Sequence, residues 1–218
     1  MLRYRCLVLD HDDTTVDSTR SVNYPQFKEA LAHFRPGMTM SAEEYMLYCY
    51  EPGFYEMCEQ VLHYTSEEMD AHIDMWKTYH KTHTPEFFPG ISELIKEQHK
   101  RGGYVCVVSH SSKDVIENAY RLHNVELPDL IYGAEQPPDR RKPAPWPLIE
   151  IMQHLKLSAK DLLMIDDMPF GATMARAVGV DFVGVGWCDP LPQIKQNMIK
   201  LSDHYFSAVQ QLYQFLYD

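Results

Sequence analysis

The stretch that decides the fold is YRCLVLDHDDTTVDS, residues 4–18. An apolar run at residues 5–9 ends abruptly, and aspartates follow at positions 10, 12 and 13. Short runs rich in β-branched and apolar residues are typical of strands covered on both faces in a parallel sheet. Ligands of open α/β sheets bind beyond the carboxyl ends of the strands. The stretch therefore predicts a buried strand that ends in an acidic candidate site.

Strand-like runs and segments of helical period alternate along the rest of the chain. This alternation predicts the α/β class with a doubly wound (Rossmann-like) parallel sheet. The further strand-like runs are residues 104–108, 161–165 and 181–185, and the helical segments are 91 to the RGG stop at 101–103, 113–122, 146–155 and 170–178.

The alternation is interrupted once, by a segment that reads as helices only. Within it, SAEE at 41–44 and TSEE at 65–68 each fit the capping box that begins a helix. We therefore expect a helical domain at 17–84, inserted after the first strand of a core domain formed by 1–16 and 85–218.

The composition predicts a soluble, cytoplasmic protein. No segment approaches the roughly 20 apolar residues of a membrane span. Five cysteines without CxxC spacing fit a reducing compartment. A net charge of −11 disfavours nucleic acid and anionic membranes as partners, so a ligand that carries phosphate must meet a local cation.

Two acidic loops follow predicted strands. Asp10 and Asp12 end the first strand, and Asp166 and Asp167 follow the run LLMI. Like charges gathered at one sheet edge need a counter-ion, and carboxylate oxygens suit Mg²⁺. The alternatives are ordinary turns and helix caps, or two loops that lie far apart in solvent.

Two further loops offer groups that bind anions. Ser109 and His110 in VVSHSSKD lie between a strand and a helix, where a hydroxyl and backbone N–H groups are available. Lys142 in DRRKPAPWP lies before a helix, in a segment stiffened by prolines. Taken alone, the first loop is ordinary capping and the second a solvated basic loop.

These four elements, in this order, resemble the motifs of the haloacid dehalogenase superfamily over nearly the whole chain. DHDDTTVD is similar to the first motif, Ser109 to the second, Lys142 to the third and IDD at 165–167 to the fourth. A helical insert directly after the first motif is similar to the type 1 cap of this family.

The resemblance implies a magnesium site and two reacting carboxylates. Asp10 is implied as nucleophile and Mg²⁺ ligand, and Asp12 as general acid and base that adds its backbone carbonyl to the metal. Thr14 is implied to orient the loop. Asp166 and Asp167 complete the metal site, the second directly or through water.

The resemblance also assigns phosphoryl binding to Ser109 and Lys142, and we expect His110 to bind phosphate at the same site. We therefore expect a Mg²⁺-dependent phosphatase that hydrolyses a small phosphorylated metabolite through an aspartyl-phosphate intermediate. A phosphomutase and a catalytically silent phosphometabolite-binding protein are the alternatives. The partner is a small phosphate ester, and both a monomer and a homodimer are compatible with the sequence.

Three positions depart from the family pattern. Asp13 and Ile165 stand where glycine is usual, and Phe170 stands where many members carry an acid. Asp13 removes backbone freedom unless its conformation suits aspartate.

Two features of the helical segment are interpreted as structural. His72, His80 and His83 have spacings that metal ligands also show, but a solvated or partly packed helix face is favoured. The aromatic run YMLYCYEPGFYEMCEQ, residues 45–60, is assigned mainly to packing.

Overall fold

The polypeptide forms two compact units. The computed structural model describes residues 2–218. The sheet unit comprises the residues up to Asp17 together with Glu86–Asp218, and the helical unit comprises Ser18–Pro85.

The helical unit contains four α-helices and two π-helical turns. Both capping boxes are present: Ser41 and Thr65 accept hydrogen bonds from the backbone N–H groups of Glu44 and Glu68, whose carboxylates accept from the N–H groups of the capping residues. These reciprocal bonds satisfy donors that a helix start leaves unpaired. The helices are α1 (Tyr24–Phe34), α2 (Ala42–Tyr50), α3 (Phe54–Glu56) and α4 (Ser66–His80), and the π-helical turns are Thr19–Asn23 and Met57–Val61.

The aromatic run at 45–60 does pack within this unit. Its buried members Tyr45, Met57 and Cys58 join one apolar cluster with Phe27 and Leu62. The interpretation of the run as packing is thereby confirmed for these residues.

His72 is buried against the aromatic rings of this cluster. Its Nε2 lies 3.2 Å from Oε1 of Gln26, and the rings of Phe34, Phe54 and Tyr64 surround it. Burial lowers the pKa of His72 to about 4. His80 is buried as well, with Nε2 3.1 Å from Oδ1 of Asn23, so the two histidines are packed more deeply than a solvated face would allow.

The sheet unit is built on six parallel strands. Their spatial order is β3-β2-β1-β4-β5-β6, and every neighbouring pair is parallel, which confirms the predicted doubly wound sheet. The strands are β1 (Cys6–Leu9), β2 (Tyr104–Val108), β3 (Leu130–Tyr132), β4 (Leu162–Asp166), β5 (Asp181–Val185) and β6 (His204–Phe206).

Two of these strands, β3 and β6, were not predicted. Each has three residues, lies at an edge of the sheet and is only partly buried. Their runs are shorter than the apolar runs of four or five residues that identify the other strands.

Helices cover both faces of the sheet. Leu7, Leu9 and the corresponding side chains of the neighbouring strands pack against one set of helices, and the residues between them point to the other face. No helix within residues 2–218 has the length and apolar character to cross a bilayer. The helices on the first face are α5 (Ile91–Lys100), α6 (Lys113–Leu122) and α10 (Val209–Tyr217), and the others are α7 (Trp146–Leu155), α8 (Pro169–Val178) and α9 (Pro192–Leu201).

The low pKa of His72 predicts an acid sensitivity of the helical unit. Between the ordinary pKa of 6.5 and about pH 4, the unfolded chain binds a proton that folded His72 does not bind. The free energy of unfolding therefore falls as pH falls through this window. In His72→Leu this part of the pH dependence should disappear, as measured by urea unfolding at pH 7 and pH 5. The exposed His83→Leu serves as control and should keep the wild-type dependence; an unchanged dependence in His72→Leu contradicts the prediction.

Candidate active site

The two acidic loops meet because their strands are neighbours. Leu9 of β1 lies in register with Ile165 of β4, and the N–H of Asp10 donates to the carbonyl of Ile165 at 2.9 Å. The chain runs from β1 outward to β2 and β3, then returns to the other side of β1 as β4. Asp10 and Asp166 thus lie at the point where the strand order reverses, which is where doubly wound sheets bind ligands.

Lys142 bridges these two aspartates. Its Nζ donates to Oδ1 of Asp10 at 2.7 Å and to Oδ2 of Asp166 at 2.8 Å. All three side chains are buried, with Lys142 only 5% exposed. Burial by itself lowers the pKa of Lys142, but the charges of Asp10 and Asp166 outweigh burial. The net effect is a pKa above the ordinary value, so the lysine is a cation.

Asp167 joins Asp10 and Asp166 in one carboxylate cluster. One oxygen of each carboxylate lies within 4.8 Å of the others. The N–H of Met168 donates to Oδ1 of Asp166 at 2.8 Å, and the hydroxyl of Thr14 donates to Oδ1 of Asp167 at 3.1 Å. These bonds hold the carboxylates of Asp166 and Asp167 at the end of β4, and the bond from Thr14 ties them to the loop after β1.

The electrostatics of the cluster favour an additional cation. Burial raises the pKa of Asp10 to about 8, although Lys142 opposes the rise. Burial also raises the pKa of Asp166, and it raises that of Asp167 well above the ordinary value with help from the neighbouring carboxylates. A single lysine cannot neutralise three buried carboxylates, and bringing them together in ionised form is costly without more positive charge.

The donor set fits a hard divalent metal ion. All of its candidate ligand atoms are carboxylate oxygens, which are the ligands that Mg²⁺ prefers over nitrogen or sulfur. Asp10, Asp166 and Asp167 are the residues whose side chains would hold such an ion. The carboxylate of Asp12 does not belong to this group of three, and a contribution of its backbone carbonyl to the metal stays a prediction.

The carboxylate of Asp12 is instead held by two serines. Oδ2 of Asp12 accepts from the hydroxyl of Ser111 at 2.6 Å and more weakly from that of Ser109 at 3.4 Å. The N–H of Ser111 in turn donates to Oγ of Ser109 at 3.1 Å. Sequence reasoning singled out Ser109 and missed Ser111, although the repetition of serine in SHSS was the available signal.

His110 lies between these serines but its ring points elsewhere. Its Nε2 lies 2.7 Å from the carbonyl oxygen of Lys142. The ring meets that of Phe170 edge to face, with centroids 5.3 Å apart. His110 thus links the loop after β2 to the loop that carries Lys142.

The first acidic loop is fixed at several points. Oγ1 of Thr14 accepts from the N–H of Asp167, and the carbonyl of Thr14 accepts from the indole of Trp187 at 2.9 Å. The hydroxyl of Thr15 makes a short hydrogen bond to the carbonyl of Asp10. Thr14 was predicted to orient the loop, whereas Thr15 and Trp187 were not identified from the sequence.

Asp13 occupies a left-handed backbone conformation. Its φ is +55°, and its N–H donates to the carbonyl of Val16 at 2.8 Å. Aspartate is one of the few non-glycine residues that tolerate this region, so its presence where glycine is usual costs little. A carboxylate oxygen of Asp13, one of Asp167 and the sulfur of Cys188 lie within 4.8 Å of one another, which places Asp13 beside the carboxylate cluster.

Gly171 allows α8 to approach Asp166 closely. A Cβ atom at this position would lie 2.7 Å from Cβ of Asp166 and 2.8 Å from its Cγ. Both are closer than carbon atoms can approach without a shift of the helix or of Asp166. The sequence signal was weak because a glycine inside a helix is usually tolerated without a specific contact.

Comparison with known proteins identifies the family of this chain. The family model described as haloacid dehalogenase-like hydrolase matches residues 7–185. A relative from Caldanaerobacter subterraneus subsp. tengcongensis, provisionally named pyrophosphatase PpaX, is 20% identical over 190 residues, which cover 85% of this chain and 83% of the relative. The family match confirms the resemblance inferred from the four motifs.

Solved structures share the fold over nearly the whole chain. A provisionally assigned phosphoglycolate phosphatase from Haemophilus somnus 129PT has a TM-score of 0.78 at 17% identity and covers 99% of both chains. A provisionally assigned haloacid dehalogenase-like hydrolase from Bacteroides fragilis has a TM-score of 0.79 at 23% identity, covering 96% of this chain and 99% of the other.

Replacing Gly171 with alanine should destabilise the protein. Helix propensity alone would stabilise Gly171→Ala by about 1 kcal/mol. The clash with Asp166 should reverse the sign and lower the free energy of unfolding by about 1–3 kcal/mol. Urea unfolding followed by circular dichroism measures the difference. Thr173→Ala, an exposed change in the same helix, is the control and should leave stability unchanged or slightly higher; a stabilised Gly171→Ala would show that the close approach is unimportant.

Proposed function

This chain belongs to the haloacid dehalogenase-like hydrolase family, and we propose that it is a Mg²⁺-dependent phosphatase of small phosphorylated metabolites. The observation that carries the proposal is Lys142, buried between Asp10 and Asp166 at the strand ends. A buried cation paired with two carboxylates, with Asp167 beside them, suits phosphoryl transfer. In that reaction an anionic phosphoryl group must be stabilised next to the carboxylates that react with it. The relatives provisionally named as pyrophosphatase and phosphoglycolate phosphatase support a phosphorylated substrate.

Asp10 is the proposed nucleophile. Its carboxylate oxygen attacks phosphorus, the bond from phosphorus to the ester oxygen breaks, and an aspartyl-phosphate forms. Water then attacks phosphorus, releases inorganic phosphate and restores the carboxylate. Covalent catalysis of this kind replaces one difficult displacement with two easier ones.

Asp12 is the proposed general acid and base. It gives a proton to the departing ester oxygen and later takes one from the attacking water. The hydrogen bond from Ser111 to its Oδ2 at 2.6 Å holds the carboxyl group in one orientation. This second carboxyl group favours phosphate esters over carbon–halogen bonds, because cleavage of a carbon–halogen bond needs no acid at that position.

Charge on the phosphoryl oxygens is offset by groups from three loops. Lys142 supplies a fixed cation, and Ser109 and the backbone N–H of His110 supply donors. Mg²⁺, held by Asp10, Asp166 and Asp167, supplies additional positive charge when bound. Together these groups explain how a chain of net charge −11 accepts an anionic substrate.

The helical unit is proposed to act as a cap that contacts the part of the substrate other than phosphate. Its own apolar core and its two capping boxes make it a compact unit. A cap that excludes water during the reaction limits the substrate to small molecules.

Removing the nucleophile should abolish turnover. We expect Asp10→Asn to reduce phosphate release from p-nitrophenyl phosphate with Mg²⁺ by at least ~10³-fold. The fold should be preserved, since asparagine has nearly the shape of aspartate and its amide oxygen can still accept a hydrogen bond from Nζ of Lys142. Asp139→Asn, an exposed change in the same unit, should retain full activity, and chelation of Mg²⁺ with EDTA should silence the wild type. Full activity in Asp10→Asn would contradict the mechanism, and a wild type that releases hardly any phosphate would favour a mutase or a binding protein.

Removing the acid should have an effect that depends on the leaving group. We expect Asp12→Asn to slow hydrolysis of alkyl phosphates by about 10²–10⁴-fold. With p-nitrophenyl phosphate the first step should be less affected, because this leaving group departs without a proton. Rapid-quench kinetics should then show a burst of nitrophenol while the aspartyl-phosphate accumulates. An equal slowing of the first step with both classes of ester would argue against Asp12 as the acid.

A further inference from the structure

We propose that the side chain of His110 is a positioning residue that fixes Lys142, and that its ring does not bind the phosphoryl group. His110 follows Ser109 at the carboxyl end of β2, and its ring reaches across to the loop before α7. There Nε2 lies 2.7 Å from the carbonyl oxygen of Lys142. The effect of this contact on catalysis rests on the proposed phosphatase function, whereas the contact itself does not.

The acceptor determines which ring nitrogen carries the proton. A backbone carbonyl can only accept, so Nε2 must be the donor. In the neutral ring, Nδ1 is then without a proton and cannot donate to an anionic phosphoryl oxygen. The hydrogen bond from Nε2 to the carbonyl of Lys142 therefore leaves the ring of His110 poorly suited to bind phosphate itself.

The prolines beside Lys142 limit the backbone donors of its loop. Pro143 and Pro145 have no N–H to donate. Hydrogen bonds of the adjacent residues include those from the N–H of Ala144 to the carbonyl of Arg141 at 2.8 Å, from the N–H of Arg141 to the carbonyl of Pro138 at 3.5 Å and from Nη1 of Arg141 to the carbonyl of Ala134 at 3.4 Å. A donor on the carbonyl of Lys142 itself thus restrains the residue directly.

Phe170 holds the ring of His110 in place from the other side. The two rings meet edge to face, with an angle of 69° between their planes. Phe170 stands just after the start of α8, the helix that follows Asp166. The ring of His110 therefore connects the loops after β2, before α7 and after β4. The backbone of Lys142 must be held in one position for its Nζ to reach both carboxylates.

The first test measures Lys142 directly and needs no activity. Limited acetylation of the intact protein, quantified for each lysine by mass spectrometry, should show Lys142 protected relative to the exposed Lys96 and Lys100. Labelling of Lys142 should rise several-fold in His110→Leu and in His110→Ala. It should stay near the wild-type level in His110→Gln, whose amide can donate in place of Nε2, and in the control His154→Leu.

The second test measures catalysis in two backgrounds. We expect His110→Leu to lower kcat by about ten- to a hundred-fold, since a small misplacement of a catalytic group has an effect of this order. His110→Gln should recover most of the loss. In a Lys142→Ala background the same His110→Leu change should have almost no further effect, because residues that act through one another are not additive.

The outcomes separate this proposal from the proposed function. Unchanged labelling of Lys142 in both His110→Leu and His110→Ala, or an equal loss of activity with and without Lys142, would overturn the positioning role. A wild type without phosphatase activity would refute the proposed function alone, since the labelling experiment would still decide whether His110 restrains Lys142. Urea unfolding of each variant identifies labelling changes that come from general loosening of the fold.

Discussion

The ion pairs of Lys142 with Asp10 and Asp166 are the interaction on which the rest of the site depends. Three carboxylates are buried at the carboxyl ends of the neighbouring strands β1 and β4, and burial raises the pKa of each of them. Carboxylates that are desolvated together favour the protonated form unless cations are close. The lysine supplies one positive charge, which is too little to balance three carboxylates. The cluster is therefore suited to a divalent ion.

The sheet topology makes this convergence possible. Because β4 returns to the side of β1 opposite β2, the ends of β1 and β4 are neighbours although their sequences lie more than 150 residues apart. The loops are then locked by local bonds, from Thr14 to Asp167 and from the N–H of Met168 to Asp166. Gly171 permits the close packing of α8 that this geometry requires. Groups held on rigid elements in this way need little reorganisation when a substrate binds.

The loop after β2 contributes more than the sequence suggested. Ser109 and Ser111 both bond to Asp12, and His110 bonds to the carbonyl of Lys142. Three consecutive residues therefore contact both the proposed acid and the loop of the proposed phosphate-binding cation. The loop thus couples two neighbouring loops of the site, in addition to the anion-binding role predicted from its residue types.

The sequence by itself determined the fold class, the central strands and most helices, because apolar runs and helical spacing record how each element is buried along its own length. It also determined Asp10, Asp12, Lys142 and Asp166 as candidates, since charged residues at strand ends stand out against an apolar background. Only the tertiary structure decided the contacts between loops: Ser111 on Asp12, the ring of His110 on Lys142, Gly171 against Asp166, and the burial of His72 among aromatic rings. It also revealed the edge strands β3 and β6, whose runs of three residues are too short to be identified as strands from the sequence. The physical reason is that periodicity describes one element at a time, whereas these contacts depend on which elements become neighbours in space.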